Sequence, residues 1–166
     1  VRSCYTEGKR IAESLCYDYH RVHDIDIKIA RIFNTYGPNM LPNDGRVICN
    51  FIKNAIIDKN LIINGSGKQT RSFCYIDDLI EGLMKFMNFN SNGPINFGNP
   101  KEEYSINELA EIIKNKLNQN IDIVKRDVCI DDPLKRKPDI ELAKRLLNWE
   151  PKLSIETGLN RTINYF

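Results

Sequence analysis

Two side chains near the start of the chain have the types and the spacing of a proton-transfer pair. Tyr5 and Lys9 are four residues apart in a segment with helical periodicity, so both side chains project from one face of the expected helix. An ammonium group close to a phenol favours the phenolate, which can accept a proton from a substrate hydroxyl during hydride transfer. Because this spacing is also frequent on helices by chance, the pair alone is a weak indication of catalysis.

The other residues with reactive side chains indicate neither a metal site nor a disulfide framework. The five cysteines are an odd number, are widely spread and include no Cys-x-x-Cys pair, which is typical of reduced, mostly buried thiols. His20 and His23 lie at the end of the expected helix without further ligands nearby, so we expect no metal. Asp131 and Asp132 resemble paired carboxylates, but adjacent side chains usually point apart, and we expect a cap or loop role.

The elements that would position these residues alternate between helices and strands, which is the pattern of an α/β protein. Apolar residues recur at helical spacing from Tyr5 to Val22, whereas residues 26–33 alternate and then become apolar, as in a strand of a covered sheet. Ser105 and Glu108 form a capping-box pattern that predicts a helix start. We further expect helices over 47–56, from 77 and on both sides of Pro151, strands over 61–63, 72–76, 94–97 and 121–124, and loops over 34–46 and 131–138.

Length and composition limit the classes of protein. The chain has 166 residues, of which 42% are apolar and 28% are charged, and these values fit one globular domain or part of a larger one. The net charge of +2 gives no reason to expect a nucleic-acid or membrane-surface partner, and no stretch has the roughly 18 consecutive apolar residues of a membrane span. The sequence contains no Gly-x-Gly-x-x-Gly turn and starts at Val1, so we expect it to begin within a longer protein.

Motifs along the whole chain carry a family resemblance. They lie in residues 1–10, 30–38, 43–47, 65–73, 96–100, 131–139 and 148–151. The Tyr-x-x-x-Lys pair and the Tyr-Gly-Pro turn resemble those of the extended short-chain dehydrogenase/reductase superfamily. The Arg-Ser-Cys-Tyr start and the Asp-Asp-Pro…Arg-Lys-Pro-Asp loop resemble, more narrowly, the UDP-glucuronate decarboxylases, which are also called UDP-xylose synthases.

The resemblance implies a fold, a cofactor and a reaction without net oxidation. The chain would be one unit over residues 1–166, the carboxyl-terminal portion of a Rossmann-like α/β enzyme with its substrate-binding lobe. NAD+ would accept hydride from C4 of the glucuronate while Tyr5 removes the hydroxyl proton. The resulting β-keto acid would lose CO2, and return of the hydride would give UDP-xylose. The amino-terminal cofactor half, which holds the Gly-rich turn and further catalytic residues, would be missing.

The resemblance also implies a role for each candidate site residue. Tyr5 would be the catalytic base, Lys9 would hold the nicotinamide ribose and favour the phenolate, and Thr35 would lie near the nicotinamide. Residues 61–64 resemble the segment that lines the uracil pocket through backbone groups. Arginine suits the phosphates and the carboxylate of such a substrate, because its planar fork binds oxyanions through two hydrogen bonds. The implied substrate-binding residues are Asn34, Arg46, Arg71 and Arg136.

Alternative functions stay open on the sequence alone. The missing half would distinguish a decarboxylase from a nucleotide-sugar 4,6-dehydratase or 4-epimerase, and a non-catalytic nucleotide-sugar-binding module is a further alternative. Members of the family commonly form homodimers through a helix bundle that includes the Tyr5 helix, so we expect a homodimer. Relatives occur in the cytosol and in the Golgi lumen, and the sequence does not choose between these compartments. We expect the isolated chain to be inactive toward UDP-glucuronate.

Overall fold

Helices and short strands alternate along the chain, as the α/β prediction requires. The structure, a computed structural model, describes residues 3–117, 120–127 and 132–166. The helices in these ranges are α1 (Ser3–His23), α2 (Val47–Ile57), α3 (Ile76–Met87), α4 (Ile106–Leu117), α5 (Glu141–Leu147) and α6 (Ile155–Tyr165). The strands are β1 (Ala30–Ile32), β2 (Thr35–Tyr36), β3 (Asn60–Asn64), β4 (Thr70–Ser72), β5 (Cys74–Tyr75), β6 (Ile95–Phe97), β7 (Glu103–Ser105), β8 (Asp122–Arg126) and β9 (Lys135–Arg136).

Most strand pairs are parallel. Strand β1 pairs with β6, β2 with β5 and β3 with β8, all in parallel, and helices cross over between the paired strands. A separate sheet has the order β7-β4-β9, in which β4 is antiparallel to β7 and parallel to β9. Within the described ranges, β1 is hydrogen-bonded to β6 alone, so its other edge offers unpaired backbone groups. Such an edge is a site at which another strand can add.

Two apolar clusters hold the elements together. The first lies between α2, α4 and β3, and includes the fully buried Ile52, Leu61 and Ile113. The second lies between α3, α5 and β6 and is built around Trp149, whose side chain is 1% exposed. The Trp149 indole nitrogen donates a hydrogen bond of 2.9 Å to the backbone oxygen of Asp78. A buried indole needs such a partner, and Trp149 is the packing anchor of this cluster.

Capping explains where one of the amphipathic helices begins. The Glu108 carboxylate accepts a 2.7 Å hydrogen bond from the Ser105 backbone nitrogen, and the Ser105 hydroxyl accepts a 3.2 Å bond from the Glu108 nitrogen. This reciprocal pair satisfies two N–H groups at the start of α4, as the capping-box pattern predicts. The pKa of Glu108 lies below its ordinary value, mainly because its carboxylate accepts the hydrogen bond from the Ser105 nitrogen.

Strands occupy two segments that the sequence predicts to be loops. Strand β2 lies within 34–46 and β9 lies within 131–138, and each is only two residues long. The predicted strand over 72–76 is in fact divided between β4 and β5, because the chain changes its partner: the Phe73 nitrogen still donates to Glu102 beside β7 at 3.0 Å, whereas the Cys74 nitrogen donates to Asn34 beside β2 at 2.9 Å. Residue Ile76 already begins α3. All these strands depend on partners distant in sequence, which local patterns do not reveal.

Side chains on one face attach α1 to the rest of the protein. Glu13 accepts two hydrogen bonds from Arg31 on β1, of 2.7 Å from Nε and 2.6 Å from Nη2. One helical turn later, the Tyr17 hydroxyl donates a 2.6 Å bond to the backbone oxygen of Gly93. The fork of Arg31 matches the carboxylate in two-point geometry, so α1 is held in a defined orientation against β1.

The opposite face of α1 carries an exposed apolar stripe. Ile11, Leu15 and Val22 are 58%, 52% and 64% exposed, respectively. At helical spacing these residues lie about 180° from Glu13 and Tyr17. The amphipathic pattern predicted for α1 is therefore present, but its apolar side is turned away from the described body of the protein. No helix in the described ranges has the length and hydropathy needed to cross a membrane.

Candidate active site

A cavity of about 470 Å³ lies between the start of α2 and the sheet that contains β4 and β9. Its size is within the usual range of pockets for small ligands. Five of the seven candidate site residues from the sequence line this cavity, although they are spread over more than 100 residues of the chain. They are Asn34, Thr35, Arg46, Arg71 and Arg136.

Strand register places two of the arginines side by side. Arg71 on β4 and Arg136 on β9 are partners in the parallel ladder, so both side chains project from the same face of the sheet, toward the cavity. Two cations directly opposite one another on adjacent strands repel each other unless an anion lies between or beside them. This pair therefore places two guanidinium groups at one wall of the cavity, where an anion can bind.

Arg71 is nearly buried and is held by two contacts. Only 7% of the residue is exposed. Its Nη1 donates a 2.7 Å hydrogen bond to the backbone oxygen of Thr70, and its Nη2 lies 2.8 Å from Oδ1 of Asp132. The Asp132 carboxylate also lines the cavity and is 30% exposed. The expectation of a cap or loop role for Asp132 is too limited, because this residue is the charge partner of Arg71; Asp131 lies outside the described residues.

Arg46 contributes a more exposed cation at the start of α2. It is the N-cap residue, with extended backbone angles of φ −76° and ψ 146°, and its Nε lies 3.0 Å from Oδ2 of Asp44. Its side chain is 63% exposed. The following residues, Val47 and Ile48, also line the cavity, so the first turn of the helix opens onto it. The unpaired N–H groups and the positive end of the helix dipole favour an anion at this position.

Asn34, in the link between β1 and β2, and Thr35, the first residue of β2, both line the cavity. The backbone oxygen of Asn34 accepts a 2.9 Å hydrogen bond from the Cys74 nitrogen, which fixes the link against β5. The Thr35 hydroxyl donates a 3.0 Å bond to the backbone oxygen of Phe33. Both residues follow the carboxyl end of a parallel strand, where α/β proteins usually place ligand contacts.

Other lining residues were not identified from the sequence. Asn50 and Gln69 line the cavity, and their amide nitrogens donate 3.1 Å hydrogen bonds to the backbone oxygens of Gly45 and Asn64, respectively. Asn64 belongs to the segment predicted to line a uracil pocket, and Ile62 of that segment also lines the cavity. No local pattern distinguishes these amides from ordinary surface residues.

Tyr5 and Lys9 lie together but away from this cavity. The Lys9 ammonium nitrogen is 5.7 Å from the centroid of the Tyr5 ring, so the two side chains share one face of α1. Tyr5 is 66% exposed, and neither residue lines the cavity. The phenol is thus open to a ligand, whereas the described residues do not enclose it.

A second cavity, of about 530 Å³, adjoins the first and shares Thr35 and Arg46 with it. Tyr36 also lines it, but this residue is only 2% exposed. Burial raises the pKa of Tyr36 far above its ordinary value, so its phenol stays protonated and cannot serve as a base at neutral pH. The Asp77 carboxylate brings a negative group to this cavity. The second cavity is therefore less suited to an anion than the first.

The thiols and possible metal ligands of the described residues form no further site. Cys4 and Cys16 are exposed and Cys49 and Cys74 are buried, all as free thiols. Burial raises the pKa of Cys74 to about 12, which keeps it protonated. Cys129 lies outside the described residues, and within the described ranges no three His, Cys, Asp or Glu side chains are grouped to hold a metal ion.

Curated relatives resemble the chain over nearly its full length. UDP-glucuronic acid decarboxylase 3 of Arabidopsis thaliana is 54% identical over 159 residues, which are 96% of this chain and 46% of that protein. UDP-glucuronic acid decarboxylase 1 of Xenopus tropicalis is 49% identical over 165 residues, which are 99% of this chain and 39% of that protein. The chain thus spans less than half the length of these curated relatives.

A solved structure and a family profile agree on the fold. The crystal structure of UDP-glucuronic acid 4-epimerase from Bacillus cereus, in complex with UDP-glucuronic acid and NAD, matches with a TM-score of 0.84 and 33% identity, over 92% of this chain and 49% of that one. The fold is therefore the Rossmann-like α/β fold of the epimerases and dehydratases. The profile described as the NAD dependent epimerase/dehydratase family matches residues 1–105. Since this match covers more than half of the chain, the protein belongs to the NAD-dependent epimerase/dehydratase family.

Proposed function

We propose that this chain is the carboxyl-terminal part of an NAD-dependent enzyme that decarboxylates UDP-glucuronate to UDP-xylose and CO2. The observation that carries the proposal is the cavity in which Arg71 and Arg136 are ladder partners and the start of α2, with Arg46, lies opposite. A substrate with a diphosphate and a carboxylate fits such a concentration of positive groups in a chain whose net charge is only +2. The names of the curated relatives support the same activity.

The substrate would bind along the cavity with its diphosphate at the arginines. Arg71 is pre-oriented by Thr70 and Asp132, so it loses little side-chain freedom when an oxyanion binds. The uracil would lie at residues 61–64, of which Ile62 and Asn64 line the cavity. The Asn34 amide would then contact the region between the diphosphate and the sugar.

The cofactor would supply the redox chemistry, and the chain would supply groups that transfer a proton and hold the cofactor in place. NAD, when bound, would supply the acceptor for hydride from C4 of the sugar and the donor that returns it after CO2 has left. Tyr5, as phenolate, takes the proton of the C4 hydroxyl, and the new carbonyl makes the substrate a β-keto acid that releases CO2 as an enolate forms. Lys9 stabilises the phenolate and holds the nicotinamide ribose. The exposed Tyr5 ring, the adjacent ammonium and the position of Thr35 at the rim of both cavities fit this cofactor.

A 4-epimerase of the same family is the alternative function that one observation favours. The Bacillus cereus protein, whose structure matches this chain, is an epimerase of UDP-glucuronic acid. Both reactions would use the same phenol and the same arginines, because both begin with oxidation at C4. A 4,6-dehydratase differs in the product, and a non-catalytic binding module has no use for the tyrosine–lysine pair.

The protein is also proposed to act as a homodimer through α1. The exposed stripe of Ile11, Leu15 and Val22 has the spacing of a helix–helix interface and faces away from the described body. Replacing Ile11 and Leu15 with aspartate in the full-length protein is expected to give a monomer in sedimentation velocity experiments. A sedimentation coefficient equal to that of the unchanged protein would argue against this interface.

The mass of the product distinguishes the reactions in one experiment. Full-length protein is incubated with UDP-glucuronate and NAD+, and the nucleotide sugar is analysed by mass spectrometry. Decarboxylation predicts a product lighter by one CO2. An isomeric product of unchanged mass would favour the epimerase, loss of one water would favour the dehydratase, and recovery of substrate despite UDP binding would favour the binding module.

A further inference from the structure

Arg136, on strand β9, is flanked by two further cations. Residues 135 and 137 are lysines on either side of Arg136. Because side chains alternate along a strand, Lys135 projects from the face opposite to Arg136. Strand β9 is only two residues long and lies at the edge of its sheet, where its ladder to β4 consists of the pairs of Thr70 and Arg71. The ladder between β9 and β4 is therefore short, and two residue pairs set the register of Arg136.

One carboxylate on the far face of the sheet contacts both lysines and a residue of β4. Oε1 of Glu103 accepts a 2.7 Å hydrogen bond from the Thr70 hydroxyl and lies 3.8 Å from the Lys135 nitrogen, while its Oε2 lies 2.9 Å from the Lys137 nitrogen. Glu103 belongs to β7, which is not adjacent to β9. Its side chain thus reaches across β4 and ties the three strands together. Only 17% of the Glu103 side chain is exposed, whereas the Lys135 and Lys137 side chains are 66% and 41% exposed, so water partly screens the two ion pairs.

We propose that Glu103 is a positioning residue for the anion site: by holding Lys135 and Lys137 on the far face of the sheet, it fixes β9 so that Arg136 stays beside Arg71 in the cavity. This inference rests on the proposed binding of a nucleoside diphosphate in that cavity. Glu103 itself does not line the cavity and would not touch the ligand.

For Glu103→Gln, the proposal predicts weaker binding of UDP, whereas the change in net charge alone predicts stronger binding. Glu103→Gln removes a negative charge, so long-range electrostatics alone would strengthen the binding of UDP slightly. Loss of the ion pairs instead loosens β9, which weakens UDP binding. A glutamine can still accept the hydrogen bond of Thr70, so the variant alters the lysine contacts with little loss of packing.

The test is the dissociation constant of UDP, measured by isothermal titration calorimetry on the full-length protein and its variants. Glu103→Gln is expected to weaken UDP binding about fivefold, within the range of coupling between residues of one network. Glu150→Gln is the matched control, because Glu150 pairs with Lys101 outside the cavity and the change of charge is the same. This control should bind UDP as tightly as the unchanged chain or slightly more tightly.

A double-mutant cycle separates positioning from general destabilisation. In an Arg136→Ala background, Glu103→Gln should have almost no further effect on UDP binding. Thr70→Val, which removes the hydroxyl donor to Glu103 without a change of charge, should weaken binding about twofold, and again only when Arg136 is present.

Two kinds of result would contradict the proposed role of Glu103. If Glu103→Gln binds UDP as tightly as Glu150→Gln, or loses the same factor with and without Arg136, Glu103 is not a positioning residue. If the unchanged full-length protein does not bind UDP, the proposed function fails and this inference fails with it.

Discussion

Replacing Arg71 with alanine should weaken UDP binding far more than replacing Arg46, although both are single arginines in the same cavity. The Arg71 side chain is 9% exposed and is paired with Asp132 at 2.8 Å, whereas the Arg46 side chain is 63% exposed and is paired with Asp44 at 3.0 Å. Water and salt screen an exposed cation, but they have little access to a buried one.

The magnitude follows from two consequences of the Arg71→Ala change. The ligand loses charged hydrogen bonds, which contribute about 1.5–3 kcal/mol. The Asp132 carboxylate also remains in the cavity, loses its contact with Arg71 and repels the diphosphate, which costs about 1 kcal/mol at a separation of about 4 Å in the dielectric of water. The sum is about 2.5–4 kcal/mol, or roughly seventyfold to several hundredfold in the dissociation constant. For Arg46→Ala we expect less than about fivefold, and a smaller effect at high salt.

Calorimetric titration of UDP into each variant at two salt concentrations is the assay, with circular dichroism as the check on folding. The double variant Arg71→Ala/Asp132→Asn should regain about fivefold over Arg71→Ala, because the repulsive charge is gone. Equal losses for Arg71→Ala and Arg46→Ala, or a double variant as weak as Arg71→Ala, would refute this account of the cavity.

Three further predictions concern stability and activity. Gly158→Ala should lower the free energy of unfolding by about 1–3 kcal/mol, because the new Cβ would meet the buried Tyr36 hydroxyl, whereas Gly8→Ala, where the Cβ meets nothing within 4 Å, should not destabilise the protein in thermal melts. Hydrogen bonds from Arg31 lower the pKa of Glu13, so its stabilisation is present above the ordinary value of 4.5 and is lost as the pH falls through the lowered value. Urea unfolding should therefore depend less on pH below 4.5 in Glu13→Gln, and an unchanged dependence would contradict this linkage. The 166-residue chain alone should bind UDP but form no UDP-xylose from UDP-glucuronate and NAD+, and robust turnover would disprove that expectation.

Local patterns predict the helices well because each helix carries its own signals. The apolar periodicity of α2 and the capping box of Ser105 and Glu108 are complete within a few residues of sequence. Strands β2 and β9 have no such local signal, since both are short and form only where a distant strand offers hydrogen bonds. For the same reason a local reading does not show that residues 72–76 change from one sheet to another at Phe73.

The cavity was predictable through its motif residues but not through its supporting contacts. The resemblance identified Arg46, Arg71 and Arg136, and the fold brings all three to one cavity. The charge pairing of Asp132 with Arg71, and the reach of Glu103 across a strand, depend on register and therefore on the tertiary structure. Only coordinates reveal such contacts.

The separation of binding from chemistry is the central claim, and Tyr5→Phe in the full-length protein tests it most directly. Tyr5 lies outside the arginine cavity, so the variant should bind UDP with an affinity within about twofold of the unchanged protein. Loss of the base should lower turnover of UDP-glucuronate by at least about a hundredfold. A variant that keeps its turnover, or that loses UDP binding together with turnover, would contradict the assignment of Tyr5 as the base and of the cavity as the separate binding site.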